Sequence, residues 1–592
     1  MTHPPTTRVS LVSTLACAAV LAALLPAAAQ AAPSSPAARP RLLAPQGTTV
    51  LPNLDDDTRR CTLRPGDLDR LDVAVDERLA ACNDAADEVV NGAADLQDLT
   101  PLRVPPTAVG ARTGGRVSVP AAQGRYARIF VERGGRYVSL GTGGRLGAGE
   151  LRKGVRLAVE GRDVVRDAAR WDGRIDVTLA LTDGGTTRTA SVRLRVAPVL
   201  LQHDLQRARH VFAAAPGPGE GQPVEVPVSH RKPGGWKEFA GSLRAATRAS
   251  GLPDRELRFQ PGTAQWWRDV WRQDIAEPGY VTKRTPEGTR TMRILLRSPN
   301  YWTSADGRAA SLRRAGRLLY RDLRGPGVGV VQQYTTRRDK NVDELLNFTG
   351  NIEKLPPYPG RPQGRILYGS APERRPDPSF VTLLRSQGRQ EPLALDTSWL
   401  LVGHVDETVH VVRADTARGW TLAFSDPRLA MDLMRRAQRS GQGGQRLFAD
   451  TDAALKPTVD QVLRHERTTG ENEEAARRID GQLAVLLRAT GLRKDELVGL
   501  PVLYVKEDAG NGKRRHMALS PALANGLSLT ARDFAPPAPH GPRVGGRDLF
   551  RDEAERRLAA KGVRTHWVED FSWAHLGGGE VHCATNALRQ VP

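Results

Sequence analysis

Residues 174–198 read RIDVTLALTDGGTTRTASVRLRVAP, and this stretch decides the fold of the first half of the chain. Ile175, Val177, Leu179 and Leu181 alternate with Asp176, Thr178, Ala180 and Thr182. A period of two is the mark of a strand with one buried face. Asp183-Gly184-Gly185 then supplies a turn, and alternation resumes through Val192, Leu194 and Val196. Working backwards, GVRLAVEG (154–161), RYVSLGTGG (136–144), GRYARIFVE (124–132) and RVSVPA (116–121) repeat the pattern between Gly-rich turns. Short strands at such spacing predict a β-sandwich over roughly 101–198. GTGGRLGAGE (141–150) sits among them and is read as a hairpin rather than a phosphate loop.

Beyond residue 198 strands mix with helices. Helical periodicity covers 236–250, 427–439, 472–490 and 549–560, and 213–235 is a Pro/Gly-rich loop. WLLVGHVDETVHVV (399–412) and the run into GEVHCATN (579–586) read as strands. The whole is an α+β multidomain chain of 592 residues, too long for one core. Its divisions are 1–31, 32–198 and 199–592.

Residues 1–31 form a secretory leader: Arg8, the apolar run LVSTLACAAVLAALLP, then small residues at Ala29 and Ala31. Cys17 lacks the aliphatic residue three positions earlier that a lipoprotein signal wants, since Thr14 stands there. The expectation is a secreted, extracellular protein with no membrane attachment after cleavage. Three cysteines then remain: Cys61 and Cys82, near enough in sequence to pair in an oxidising compartment, and Cys583.

The net charge of +20 invites a nucleic-acid partner. Its arginines are dispersed rather than gathered into an aromatic-interleaved stripe, so no nucleic acid is expected. The charge also hides an acidic exception: residues 51–100 hold 13 carboxylates against 5 arginines. NLDDD (53–57) and DLQD (95–98) offer hard oxygen donors in a loop-like context, suited to Ca2+, without EF-hand spacing.

Three segments carry polar residues in apolar surroundings: WWRDVWRQDIAEPGYV (266–281), WLLVGHVDETVHVV and GEVHCATN. On a strand His404 and Asp406 share one face roughly 7 Å apart. If Cys583 also ends a strand, His582 points away from it, leaving His404 as the better base. A thiol, a histidine and two acids fit nucleophilic catalysis. A peptidase-like Cys-His-Asp hydrolase is one reading. Asp274 and Asp406 favour another, because two carboxylates can grip a planar guanidinium from both sides.

Taken in order, DLQDL, RVAP, WRQDIAEPGY, GNIE (350–353), GRILYG (364–369), WLLVGHVDE and GEVHCATN resemble the protein-arginine deiminase family. That resemblance implies a calcium-dependent hydrolase converting the arginine of proteins or peptides to citrulline. The fold it implies is an immunoglobulin-like β domain followed by a five-bladed α/β propeller. Cys583 is then the nucleophile and His404 the acid and base. Asp274 and Asp406 orient the guanidinium, and Trp271 walls its alkyl chain. Implied calcium ligands are Gln273, Glu277 and Glu353 with the carbonyls of Thr349 and Ile352, an ion that would set Asp274 in place as an on-switch. A second cluster takes Asn53, Asp55, Asp57, Asp95 and Asp98, with Asn83 or Asp84 as a further ligand. A second catalytic-domain ion would need acids where Ile275 and Arg297 stand. Peptidyl against free arginine stays open.

Overall fold

The structure is a computed structural model, and residues 39–217, 235–266, 268–303, 309–335, 340–510 and 512–592 are described. The leader at 1–31 and most of the 213–235 loop lie outside them. Among the described residues no helix is long and apolar enough to cross a membrane.

The alternating block folds as expected into two four-stranded antiparallel sheets. One orders Thr100–Val104, Val155–Gly161, Ala127–Arg133 and Arg136–Gly141. The other orders Gly143–Leu146, Gly114–Ser118, Arg174–Asp183 and Thr186–Arg195. Ile175, Val177, Leu179 and Leu181 are buried against Ile129, Val131, Leu157 and Val159 of the facing sheet, in a single core. The GTGG segment is not a hairpin. Arg136–Gly141 and Gly143–Leu146 belong to different sheets, so Gly141–Gly143 is a corner at which the chain changes layer. Gly143 has φ 158° and lies so close to the next strand that a Cβ would come within 2.5 Å of the Val117 carbonyl.

From residue 200 onward, five small sheets obey one pairing rule. In each, the middle strand is antiparallel to one neighbour and parallel to the other. Gly288–Arg297 stands between Ala276–Thr285 and Val328–Gln332. Arg365–Gly369 stands between Ile352–Leu355 and Leu393–Leu395, and Trp420–Asp426 between Val409–Arg413 and Val498–Pro501. Asp533–Ala535 stands between Leu527–Ser528 and Arg564–Thr565. Ala208–Ala215 stands between Thr585–Arg589 and Leu257–Pro261. A parallel neighbour demands a crossover, and in four of the five sheets α-helices supply it, the anticipated ones and Pro378–Ser386, which the sequence reading did not single out. Gly235–Ala249, Pro378–Ser386, Pro427–Arg439 with Glu466–Thr490, and Leu549–Ala559 each join a middle strand to its parallel partner. Asp548 caps the last of these by accepting from the Phe550 and Arg551 amides. The helix expected from 472 begins earlier, at Glu466, because the His465 ring caps it by accepting from the Thr468 amide.

Two expected strands are shorter than their apolar runs. Gly403, at φ 94°, breaks the 399–412 stretch, and a strand starts only at Val409. The approach to Cys583 is a short helix, Val581–Ala584, and the strand begins at Thr585.

Candidate functional site

The chemistry-bearing residues occupy one structural position repeated around the five sheets, the residues just before each leading strand. Asp274 precedes Ala276–Thr285, and Gly350 precedes Ile352–Leu355. His404 and Asp406 precede Val409–Arg413, Asn525 precedes Leu527–Ser528, and Cys583 precedes Thr585–Arg589.

Asp274 sits in a 3-10 turn, Gln273–Ile275, and is buried. Asn586 ties this turn to the segment bearing Cys583 by donating to the Arg272 and Ala276 carbonyls at 3.2 and 2.7 Å. His404 caps a second 3-10 turn, Val405–Glu407, where Glu407 Oε1 accepts from the Gly403 and His404 amides at 2.8 and 2.7 Å. The Leu345 carbonyl, 2.8 Å from His404 Nε2, can only accept. Nε2 therefore donates in this contact. Nδ1 lies 3.9 Å from Asp274 Oδ1.

On its helical turn Cys583 Sγ lies 3.4 Å from Asp406 Oδ2. Asn525 brackets Cys583, donating to Sγ and accepting from the Cys583 amide, both at 3.2 Å. Successive helical residues diverge by about 100° rather than the 180° of a strand. His582 therefore does not point away from the site: its Nδ1 donates to Asp406 Oδ2 at 2.9 Å. Burial disfavours the His582 cation, but Glu353 and Asp406 outweigh it and raise the pKa to about 9. Burial, then Asp406 and Asp274, pushes the Cys583 thiol well above its ordinary value.

Asp274 Oδ1, Asp406 Oδ1 and His404 Nδ1 are buried and have no hydrogen-bond partner among the described residues. Buried polar atoms are normally paired, so these three define a place for a donor-rich, cationic group. Gly350 keeps the place open, since a Cβ there would meet Asp274 Oδ1 at 2.7 Å and His404 Nδ1 at 2.8 Å. Gly579 does the same for Trp271, whose ring would lie 2.6 Å from an added Cβ that also comes within 3.1 Å of Cys583 Cβ.

Two contributors escaped the sequence reading. Asn525 is a lone amide in the apolar run PALANGLSL (521–529), which was its only signal. Arg313 donates to both oxygens of Asp269 at 2.8 and 2.6 Å and presents NH1 to Asp274 Oδ2 at 3.0 Å. Its guanidinium stacks over Phe348, 4.6 Å from the ring centre.

The acidic segment folds against both halves of the chain. Asp95 and Asp98 lie on a helical turn, Ala93–Asp98, rather than in a loop. Oxygens of Asp55, Asp57 and Asp98 lie within 4.8 Å of one another. Asn53 Oδ1, Asp55 Oδ1 and both Asp57 oxygens are buried without hydrogen-bond partners among the described residues. Asp95 accepts from Asn53 at 2.8 Å, and Arg290 grips Asp98 at 2.7 and 3.0 Å. Burial, then Asp98 and Asp57, raises Asp55 to about 8. Asp84 is buried and accepts from the Asp57 amide at 2.8 Å, whereas Asn83 turns to the Ala80 carbonyl. Crowded, unpaired, hard oxygens of this kind fit Ca2+.

The other expected ligand set fits less well. Thr349 Oγ1 donates to the Gln273 carbonyl at 2.6 Å. Glu277 already accepts from Gln273 Nε2 at 3.1 Å and from the Lys354 ammonium at 2.5 Å. Glu353 has no hydrogen-bond partner for either oxygen among the described residues, with His582 Nε2 at 3.6 Å. The Ile352 carbonyl lies at the start of the strand that carries Glu353 and Lys354. One of the two carboxylates thus already carries a cation.

The family model for protein-arginine deiminase matches residues 186–592. The chain is 27% identical over 440 residues to mouse protein-arginine deiminase type-4, covering 71% of this chain and 60% of that protein. It is 30% identical over 335 residues to human type-3, covering 54% and 46%. Against human type-1 the identity is 24% over 523 residues, covering 84% and 72%. The chain thus spans between about half and three quarters of the length of these relatives. With the model matching well over half of its length, the chain belongs to the protein-arginine deiminase family.

Proposed function

We propose that this protein hydrolyses the guanidinium of arginine in proteins or peptides to citrulline and ammonia. The observation that carries the reading is the set of unpaired acceptors, Asp274 Oδ1, Asp406 Oδ1 and His404 Nδ1, beside the Cys583 thiol. A guanidinium supplies donors in a fixed plane and no acceptor, the complement of that set.

The steps follow from the geometry. Two carboxylates near the thiol keep it protonated until a cation arrives. A bound guanidinium offsets their charge, so the thiol ionises when substrate is present, and only the thiolate is reactive. His404 Nδ1 takes the thiol proton, and Sγ attacks the guanidinium carbon. The proton passes from His404 to one amino nitrogen, the C–N bond breaks and ammonia leaves a thiouronium on Cys583. His404, neutral again, takes a proton from water as its oxygen bonds to that carbon. Collapse breaks the C–S bond and leaves the carbonyl of citrulline; the hydroxyl proton leaves with ammonia as ammonium, and His404 returns its proton to the thiolate. Trp271 would flank the alkyl chain.

The five like-paired sheets support an α/β propeller with one blade each, and the preceding two-sheet domain an immunoglobulin-like reading, dividing the chain at 32–198 and 199–592. Calcium is assigned to the acidic segment through Asn53, Asp55, Asp57, Asp95 and Asp98, where it would neutralise crowded carboxylates. Release from the cell is supported by the leader-like residues 1–31 and by the Cys61–Cys82 disulfide, a bond at home in oxidising compartments.

Incubation with an arginine-containing peptide, and with free arginine beside it, tests the reading. Citrulline is expected from the peptide and none from Cys583→Ala. Peptide fragments in place of citrulline would make the protein a hydrolase of another bond, and citrulline from free arginine alone would narrow the substrate.

A further inference from the structure

Both catalytic-half positions at which the family resemblance places calcium are furnished with side-chain cations. At the first, Lys354 is buried and its ammonium lies 2.5 Å from Glu277 Oε1. The other oxygen of Glu277 is held by Gln273 at 3.1 Å. Glu353, the neighbouring carboxylate, faces His582 at 3.6 Å. Of these two carboxylates, Glu277 is thus held by a fixed ammonium, while Glu353 is bonded to no cation among the described residues and has the His582 ring nearby.

At the second, Arg297 is 1% exposed and stands where the resemblance calls for an acid. Its NH1 donates to Asp76 Oδ1 at 2.9 Å and to Gln332, and its NH2 donates to the Arg313 carbonyl at 3.0 Å. Arg317 shares Asp76, with Nε at 2.8 Å. The remaining oxygens of that segment are used internally: Ser298 Oγ donates to the Asn347 carbonyl and lies against Asn300 Oδ1, both at 2.8 Å. Gly316 leaves the room, since a Cβ there would lie 2.5 Å from Arg297 Nε.

We propose that Lys354 and Arg297 stand permanently in place of calcium in the catalytic half, so that the turn bearing Asp274 is ordered without a dissociable ion. The contacts make chemical sense of it. A divalent cation brought to Glu277 and Glu353 would be repelled by the adjacent ammonium, because like charges in a weakly screened interior repel strongly. At the second position Arg297 itself supplies the charge, and Ile275 offers no side-chain oxygen. A tethered cation also cannot be diluted away, so the on-switch expected from an ion beside Asp274 is built in.

This inference rests on the family membership but not on the proposed reaction, and its readout is calcium stoichiometry rather than citrulline. Calorimetric titration of the full chain with CaCl2 would compare wild type with Glu353→Gln, the Asp55→Asn/Asp57→Asn pair and Lys354→Met. Glu353→Gln is expected to bind as many ions as wild type, and the paired variant none. Lys354→Met is expected to gain one ion, lost again when Glu353→Gln is added. Loss of one ion in Glu353→Gln, or an ion retained by the paired variant, would overturn the proposal. If Lys354→Met does not fold, those two comparisons still decide. A wild type that binds no calcium at all would support Lys354 and Arg297 as the resident cations while sinking the acidic-segment assignment.

Discussion

The Cys583 thiol lies 3.4 Å from Asp406 Oδ2, a carboxylate that opposes its ionisation. Burial and the charges of Asp406 and Asp274 together raise its pKa well above that of a free thiol. Removing one carboxylate should therefore have two opposite effects. In Asp406→Asn the pH midpoint of iodoacetamide alkylation should move down, as the thiolate becomes easier to form. Citrulline formation should fall by about 100-fold or more, because an interaction with the reacting group is gone. An alkylation midpoint that stays put or rises would show that Asp406 does not restrain the thiol.

Gly350→Ala tests the space around the guanidinium. Its Cβ would lie 2.7 Å from Asp274 Oδ1 and 2.8 Å from His404 Nδ1, so both must shift. Displacing catalytic groups by about 1 Å costs on the order of 100-fold in rate. We expect a loss of that size in kcat/KM with little change in melting temperature, read by steady-state kinetics beside thermal unfolding. Wild-type kinetics in the variant would mean that substrate does not use this space.

Arg313→Met should cost about 3–5 kcal/mol in denaturant unfolding, since it leaves the buried Asp274 and the nearby Asp269 without their shared cation. Arg313→Lys should recover only part of this. One ammonium cannot reproduce the two bonds to Asp269 and the third to Asp274. Full recovery by lysine would reduce Arg313 to a generic positive charge.

His540 provides a pH test far from the chemistry. It lies 2.9 Å from Asp450 and 3.1 Å from Glu569, and although burial opposes the cation, those carboxylates raise its pKa above 6.5. A raised histidine stabilises the fold fully below its unfolded value, and that contribution is lost as pH rises through the folded value. His540→Gln should therefore be most destabilising near pH 5–6, and the gap to wild type should close towards pH 9. A gap independent of pH would assign His540 a packing role only.

Calcium should stabilise the protein through the acidic segment. Binding to the folded state alone at about 100 times Kd is worth about 2.7 kcal/mol. Asp57→Asn, which replaces two unpaired buried oxygens with an amide, should remove most of that gain in thermal unfolding with and without CaCl2. An equal shift in both proteins would move the ion elsewhere.

Much of this was legible because period and punctuation survive in sequence. Ile175 to Leu181 alternate and do line one core, and the helices at 236–250, 427–439 and 549–560 fall where their periodicity places them. What misled was the assumption that an apolar run stays one element. At Gly403 the run breaks because the chain takes a positive φ and Glu407 folds back onto the Gly403 and His404 amides. Around Cys583 the Gly577–Gly579 run, with Gly578 at φ 91°, lets four residues close a helical turn. That turn is what brings His582 and Cys583 onto the same carboxylate. Asn525, Arg313 and Lys354 could not be found locally, because each gains its meaning from a partner far along the chain: Cys583, Asp274 and Glu277 respectively.

The strand after Cys583, Thr585–Arg589, pairs with Ala208–Ala215, so Asn586 lies opposite Phe212 across well over half of the chain. Closing a loop of that length is entropically uphill and belongs among the slow, late events of folding. Arg589 then seals the junction in a buried pair with Asp204 at 2.7 Å. Because Cys583 is positioned by that closure, a partly folded chain lacks a thiol in register with Asp274 and His404. On the proposed reading of Cys583, activity would therefore appear only once this long-range pairing has formed.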